Sequence, residues 1–312
     1  MERVHKAVVL GVNYYTSLSV IRCLGREGIA VTTVDCSHDR TYVLESKYIS
    51  EKIIAPHYQT DEKALLACLI RYAQKQQTKP VLFPSLDPYV ECVDRHLEEL
   101  RHYYLINQIE QGLSTRLMDK HSLAELAVQY GVKIPESVPG YHPHLIEAVE
   151  KETGYPCILK PADSTAFGRL FHVKVFHICN RSELTEELRK VKEAGLDFII
   201  QRVIPGFDDH MYTFDAYLDQ NSKVAHWMTA QKYRQYPINF GASVYTAQKY
   251  VPELYDIGAP FLEAAGFKGF AEVVRIRRPQ IRQRLRKHRS VVLEKHSAVL
   301  PQRKSTGHLI SG

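Results

Sequence analysis

The chain has 312 residues, 45% hydrophobic and 24% charged, a balance that suits about two globular domains rather than a fibrous or disordered chain. It contains no run of eighteen apolar residues and no charged leader followed by an apolar segment, so neither a membrane span nor a secretory signal is expected, and a cytoplasmic location is. The net charge of +6 is uneven: residues 275–312 carry eleven Lys/Arg against the single acid Glu294, a local +10, which leaves −4 for the main body and argues against nucleic acid as its partner.

Residues 6–10 form a short apolar run broken by Gly11, which predicts a buried first strand. Leu18, Ile21 and Leu24 keep helical spacing up to Gly28, and a second run, 29–34, ends in Asp35. Strand, glycine turn, helix, strand and terminal acid describe a Rossmann-like βαβ unit. The turn, Gly11-Val-Asn-Tyr-Tyr-Thr-Ser17, lacks the GxGxxG dinucleotide fingerprint, so Asp35 is read as a strand-end residue rather than a ribose ligand. Thr60 or Asp61 can cap an amphipathic helix through Leu65, Leu69 and Ala73, and Pro80–Pro84 reads as another buried strand. Asp87, just beyond it, is read as a helix cap, and a helix follows through Val90, Val93, Leu97 and Leu100. Alternating strands and helices make 1–113 an open, mainly parallel α/β domain without a catalytic constellation.

One helix is predicted over 116–130, ending at Gly131, and another from about Leu145 to Thr153. The run Cys157-Ile-Leu then leads to Lys160, Pro161 and a small-polar loop, Ala162–Gly168. An ammonium at a strand end beside such a loop suits a polyphosphate, since the cation supplies charge and the loop supplies N–H groups. The alternative is a strand-end lysine held in water. Residues 170–178 alternate like a strand, and a charged helix over 182–194 has Ser182 as a candidate N-cap. A strand over 198–204 closes at Pro205-Gly206, and two alternating runs, 212–218 and 223–230, flank the polar turn 219–222.

The six cysteines (Cys23, Cys36, Cys68, Cys92, Cys157 and Cys179) are scattered, with no CxxC and no histidine pairing at zinc spacing, so thiols are expected rather than disulfides or a metal site. His210 and His226 are read as structural. No Ser/His/Asp or Cys/His constellation is found.

Several segments together resemble the ATP-grasp superfamily, closest to its carbamoyl-phosphate-synthase-like and amino-acid ligase members. The ordered signals are Met118-Asp-Lys120 with Gly131–Pro135, Gly154–Pro161, Phe198–Gln201 with Pro205–Asp209, and Lys232–Pro237 with Gly241. The resemblance covers 6 to about 273. It implies an α/β architecture in which a Rossmann-like pre-ATP-grasp domain, 1–113, precedes an ATP-grasp domain, 114–273, with a basic tail at 274–312.

By that resemblance Lys120 and Lys160 hold ATP phosphates, and Ala162–Gly168, with Ser164, lies over them as a flexible loop. Gln201 meets the adenine amino group, Val203 offers backbone groups to the same edge, and Asp209 accepts from the ribose hydroxyls. Asp208 and Asp209 are alternatively a turn pair in water. Lys232 and Arg234 fall where the family places cations near the γ-phosphate, and alternation puts both on one strand face. A solvated edge strand is the alternative.

The implied cofactors are ATP and Mg²⁺, and the implied reaction is ligation of a small carboxylate to an amine through an acyl phosphate, with a homodimer as the expected assembly. Family members complete a two-Mg²⁺ site with a strand carboxylate or amide and a later Glu-x-Asn strand. Here the first ligand position falls on Val274, two past Glu272, and no Glu-x-Asn follows. Glu272 is the candidate substitute, and one carboxylate is a poor site for two Mg²⁺. The fold is therefore expected to lack its C-terminal metal-binding strands. From Val274 the text turns basic in mid-strand, which favours a shifted reading frame over a genuine basic arm that binds nucleic acid. The expected consequence is nucleotide binding with little turnover; a non-catalytic nucleotide-binding relic is the alternative.

Overall fold

The computed structural model describes residues 4–276 except 13–14, 38–41, 163, 207, 237 and 239–241. The segment from 277 onward, on which both readings of the basic text rest, lies outside the described residues, as do Pro237 and Gly241 of the last motif.

The chain opens with β1 (Ala7–Leu10), α1 (Tyr15–Arg26), β2 (Val31–Asp35), β3 (Ile49–Ile54), α2 (Glu62–Gln74), β4 (Val81–Pro84), α3 (Asp87–Arg95) and α4 (Leu97–Leu100). Its strands form a parallel sheet in the order β3-β2-β1-β4. β1 and β2 are buried along their whole length, as strands covered on both faces must be. β3 has no apolar alternation to announce it: Ser50, Glu51 and Lys52 are exposed, and it is an edge strand held by backbone pairing with β2. Asp61 caps α2, its Oδ1 accepting from Ala64 N at 2.9 Å. Asp87 is the first residue of α3, not its cap; Leu86 holds the cap position.

The crevice where a Rossmann fold would take a dinucleotide is filled by this chain's own groups. Asp35 accepts from Val12 N at 2.6 Å, Cys36 N at 2.7 Å and the Tyr89 hydroxyl at 3.1 Å. Gly11, at φ +76°, lies against the Tyr89 ring, and a Cβ there would stand 2.7 Å from it. Asp35 is thus a structural acceptor, and glycine at position 11 answers to a buried tyrosine rather than a pyrophosphate.

Two helices follow, α5 (Leu113–Met118) and α6 (Lys120–Gln129), where one was expected. Asp119 breaks them: its backbone is extended, and its Oδ1 accepts from Ser122 N and Oγ, both at 2.8 Å, capping α6. Then come β5 (Ser137–Pro139), α7 (Leu145–Ala148) with a π-turn over Val149–Thr153, β6 (Cys157–Pro161), α8 (Ser164–Phe171), β7 (Phe176–Ile178), α9 (Arg181–Glu193) and β8 (Phe198–Arg202). These strands make a second sheet, β5-β8-β6-β7, antiparallel throughout. Asn180 rather than Ser182 caps α9, accepting from Glu183 N at 3.0 Å.

The expected phosphate loop is largely α8. Phe167 and Phe171 lie one turn apart and pack on Phe176 with ring centroids 4.9 and 5.1 Å away, so helical spacing of aromatics overrides the small-polar composition. The strand expected over 170–178 shortens to Phe176–Ile178, because Leu170 and Phe171 finish α8 and His172 turns the chain at φ +57°.

The third sheet holds β9 (Met211–Leu218), β10 (Val224–Tyr236), β11 (Ala242–Gln248) and β12 (Gly269–Ile276), with α10 (Tyr255–Ala264) before β12. Its order is β11-β10-β9-β12, all antiparallel. One face packs Phe214, Ala216, Val273, Phe261 and Leu262 into a core. Asp219 closes the β9–β10 turn by accepting from Asn221 N and Lys223 N at 2.8 and 2.9 Å. All six cysteines are thiols. Among the described residues no helix is long and apolar enough to cross a membrane.

Removing the Asp35 carboxylate strands two backbone donors and a hydroxyl in the interior. Asp35→Ala is expected to cost about 3 kcal/mol in urea unfolding, and Asp35→Asn, which keeps one acceptor oxygen, distinctly less. Equal losses would show that the carboxylate is not the organising acceptor.

Candidate functional site

The second and third sheets carry the residues that the sequence singles out. On the second, the register pairs Ile158 with Gln201 and Lys160 with Ile199 across β6 and β8. Residues opposite each other, and those two apart, share a sheet face, so Lys160, Gln201, Ile158 and Ile199 lie on one side, with Lys160 and Gln201 as diagonal neighbours. The other side, Cys157, Leu159 and Ile200, is fully buried in a core with Phe167 and Val191. An ammonium and an amide thus flank a patch of two isoleucines, a surface on which a flat base could rest with its polar edge at Gln201. Val203 N–H is directed at Pro156 O at 3.4 Å, so a base edge would compete with that long bond. Lys120 and Ser164 open α6 and α8; the roles expected of their side chains lie outside the described residues.

On the third sheet the 3-10 turn Asp208–His210 leads into β9. The Asp209 carboxylate stands 2.7 Å from His210 Nδ1, and its main-chain carbonyl accepts from Gln231 Nε2 at 2.6 Å. Lys249 Nζ donates in turn to Gln231 Oε1 at 2.8 Å. His210 is therefore a neighbour of the candidate ribose acid, a relation that two adjacent residues in a turn did not advertise.

Lys232 and Arg234 do not share a face. The β10–β11 register shifts between Lys232 and Arg234 and again between Arg234 and Gln235. Lys232 is 4% exposed and Arg234 is exposed, and Gln235 takes the buried position that alternation assigned to Arg234. A bulge turns the period over, the usual effect of unequal residue counts on paired strands.

The buried lysine has a partner. Its Nζ lies 3.3 Å from Glu272 Oε1, both side chains being nearly inaccessible. Glu272 on β12 stands opposite Asp215 on β9, and Lys232 opposite Met211. All lie on the face that also carries Thr213, Ala230 and Val274. Thr213 Oγ1 donates to Asp215 Oδ2 at 2.9 Å. Burial, reinforced by the negative Glu272 beside it, raises Asp215 from an ordinary 3.8 to about 7, against the pull of the Thr213 hydroxyl and Lys232. The sequence reading missed Asp215; its only signal was an acid at an inward position of an alternating strand.

These residues do not fit two Mg²⁺. Glu272, the carboxylate expected to hold metal, holds an ammonium. Its neighbour Asp215 retains a proton into the neutral range, and Val274 offers no oxygen. Among the described residues no group of three or more His, Cys, Asp or Glu could hold a metal ion.

No family model matches the chain. A D-aspartate ligase from Enterococcus faecium (strain Aus0004) is 28% identical over 243 residues, 72% of this chain and 56% of that protein. Among solved structures, L-amino acid ligase from Bacillus licheniformis matches with a TM-score of 0.63 at 15% identity, over 89% of this chain and 64% of that one. N5-carboxyaminoimidazole synthetase from Staphylococcus aureus, complexed with ADP, matches with a TM-score of 0.67 at 16% identity, over 97% of this chain and 72% of that one. The chain therefore spans a little over half the length of the curated relative it matches.

Two outcomes follow from the buried cluster. Lys232→Met leaves Glu272 charged and unpaired, with an expected loss of about 3–5 kcal/mol, whereas Lys232→Met with Glu272→Leu should recover most of it; chemical denaturation of the two variants measures this. The folded chain holds the Asp215 proton more tightly than the unfolded one, so that group's stabilisation is complete below pH 4 and is lost as pH rises toward about 7. Asp215→Asn cannot ionise, so its melting temperature relative to the parent should climb between pH 5 and pH 8; a constant difference would rule out titration in that window.

With its parallel first sheet and its two antiparallel sheets, the chain shares the fold of these structural relatives, the ATP-grasp fold that the ordered sequence motifs led us to expect.

Proposed function

We propose that the chain binds ATP between its second and third sheets, with Lys160 on the phosphates, Gln201 and the Val203 backbone at the adenine edge and Asp209 at the ribose. In the extent described, it holds the nucleotide without turning it over. One observation carries the second half of this reading: the buried ammonium of Lys232 occupies the carboxylate that would take metal. The first half is supported by the shared face of Lys160 and Gln201 and by the relatives' fold.

The reaction for which such a site is built, and which the chain in the extent described does not complete, is ligation of a small carboxylate to an amine, as the names of the D-aspartate ligase and L-amino acid ligase suggest. In that chemistry a carboxylate oxygen attacks the γ-phosphorus and the bond to the β-γ bridging oxygen breaks, releasing ADP. The amine nitrogen then attacks the acyl carbon, and inorganic phosphate leaves. Positioning and charge do most of the work, and no protein nucleophile is required. For this chain's residues the derivable roles are binding ones. Lys160 supplies a cation to the phosphates, Ile158 and Ile199 exclude water beneath the base, and Gln201 orients it. Lys232 could turn to a γ-phosphate only by leaving Glu272 buried and unpaired, a cost of several kcal/mol that a free lysine would not meet.

ATP without metal should raise the melting temperature of the 312-residue chain, by mass action on the folded state. Lys160→Ala should abolish that rise, and added Mg²⁺ should enlarge it little. Mg²⁺-dependent ADP release at about 1 s⁻¹ or faster, the range of working enzymes, would overturn the proposal of binding without turnover. Unchanged protection in Lys160→Ala would overturn the placement of the phosphates.

A further inference from the structure

Asp209, the candidate ribose acceptor, lies in a turn and is half exposed, a setting in which a carboxylate ordinarily rotates freely in water. Here two bonds fix it. The first is to its main chain: Asp209 O accepts from Gln231 Nε2 at 2.6 Å. Gln231 is 7% exposed and belongs to β10, an inner strand of the third sheet. Lys249 Nζ donates to Gln231 Oε1 at 2.8 Å, so both ends of the amide are bound and its orientation is set. The turn is thereby held on the sheet.

The second bond is to the carboxylate. His210 Nδ1 stands 2.7 Å from Asp209 Oδ1. An ionised carboxylate only accepts, so this nitrogen carries a proton, in the neutral ring as well as in the charged one. The bond takes up Oδ1. Among the described residues no donor is bonded to Oδ2, which is left for a ligand.

Fixing an acceptor before the ligand arrives removes an ordering cost that a loose side chain would have to meet on binding. A site arranged to accept from a hydroxyl also rejects the analogue that lacks it. With one oxygen engaged and one presented, this carboxylate reads one hydroxyl, whereas an unengaged one can take the 2′- and 3′-hydroxyls together.

We propose that Gln231 and His210 are positioning residues for nucleotide specificity: Gln231 holds the turn, His210 holds Oδ1, and Oδ2 accepts from a single ribose hydroxyl. This specificity rests on the nucleotide placement proposed above, to which it adds discrimination between the two deoxy forms.

Metal-free ATP, 2′-deoxy-ATP and 3′-deoxy-ATP, titrated calorimetrically into the 312-residue chain, test it. One deoxy analogue should bind about tenfold more weakly than ATP, and the other within about twofold of it. Gln231→Glu keeps the oxygen that Lys249 uses and removes the donor to Asp209. It and His210→Leu should each bring ATP down to the weaker analogue and leave that analogue's affinity at the parent value. His210→Asn, which keeps a side-chain N–H near the place of Nδ1, should retain the preference. A role in folding alone would lower the melting temperature of these variants without changing the ratio of ATP to its analogues. Lys160→Ala should weaken all three nucleotides alike. If it does so while the parent binds all three equally, the phosphate placement stands and the single-hydroxyl proposal falls. Equal weakening of both deoxy analogues in the parent, or a preference that survives His210→Leu and Gln231→Glu, overturns it as well. No saturable binding of ATP to the parent would overturn both readings.

Discussion

A lysine buried in a β-sheet must find a carboxylate, and the way Lys232 does so governs what the third sheet can do. Desolvating an ammonium costs several kcal/mol, and only a close partner offsets it. Glu272 provides that partner from β12, two strands away across β9. Asp215 completes a face on which one positive group is set against two acids, and the proton retained by Asp215 relieves the excess of negative charge. The face is close to neutral by its own means. A doubly charged metal placed there would have to expel the lysine, and would then face a hydrophobic Val274 where a further oxygen is needed. Among the described residues, charge balance on this face and its want of a metal-ligand set are therefore one fact.

The same logic sorts the other buried acids. Asp35 and Asp94 are also nearly inaccessible, but each is surrounded by N–H and O–H donors rather than by other acids. Several donors converging on one carboxylate fix it in place, so such carboxylates act as struts. Asp35 ties the end of β2 to the turn after β1 and to Tyr89 on α3. Asp94 ties α3 to the start of α5, and so joins the first sheet's layer to the chain that follows.

Much of this fold was legible because burial writes itself as apolar runs. β1, β2, β4, β6 and β8 all follow short apolar stretches, and the cap at Asp61 follows from its position before an amphipathic helix. What was hidden had other causes. β3 is an exposed edge held by backbone pairing, which carries no side-chain period. The helix over 116–130 is split because Asp119 prefers capping Ser122 to continuing a helix, a choice between two good local options. Residues 162–168 look like a loop by composition, yet Phe167 and Phe171 make α8 through a contact with Phe176, outside that stretch. Asp215 belonged to no motif, and only the register between β9 and β12 reveals it as Glu272's neighbour.

The bulge in β10 brings these strands of argument together. Strict alternation would have set Lys232 and Arg234 side by side on the buried face, two cations against Glu272 and Asp215. Two acids could then have balanced two bases, leaving burial alone to hold the proton on Asp215. With the period turned over after Lys232, Arg234 lies outside and the uncharged Gln235 takes the inner place. One cation among two acids leaves the face short of positive charge, and the retained proton makes up the difference. The face of the second sheet that carries Lys160 and Gln201 needs none of this, because the β6–β8 register alone places both residues on it. The proposed nucleotide face and the charge-balanced face thus lie on different sheets, and the register that sets the one is independent of the bulge that sets the other.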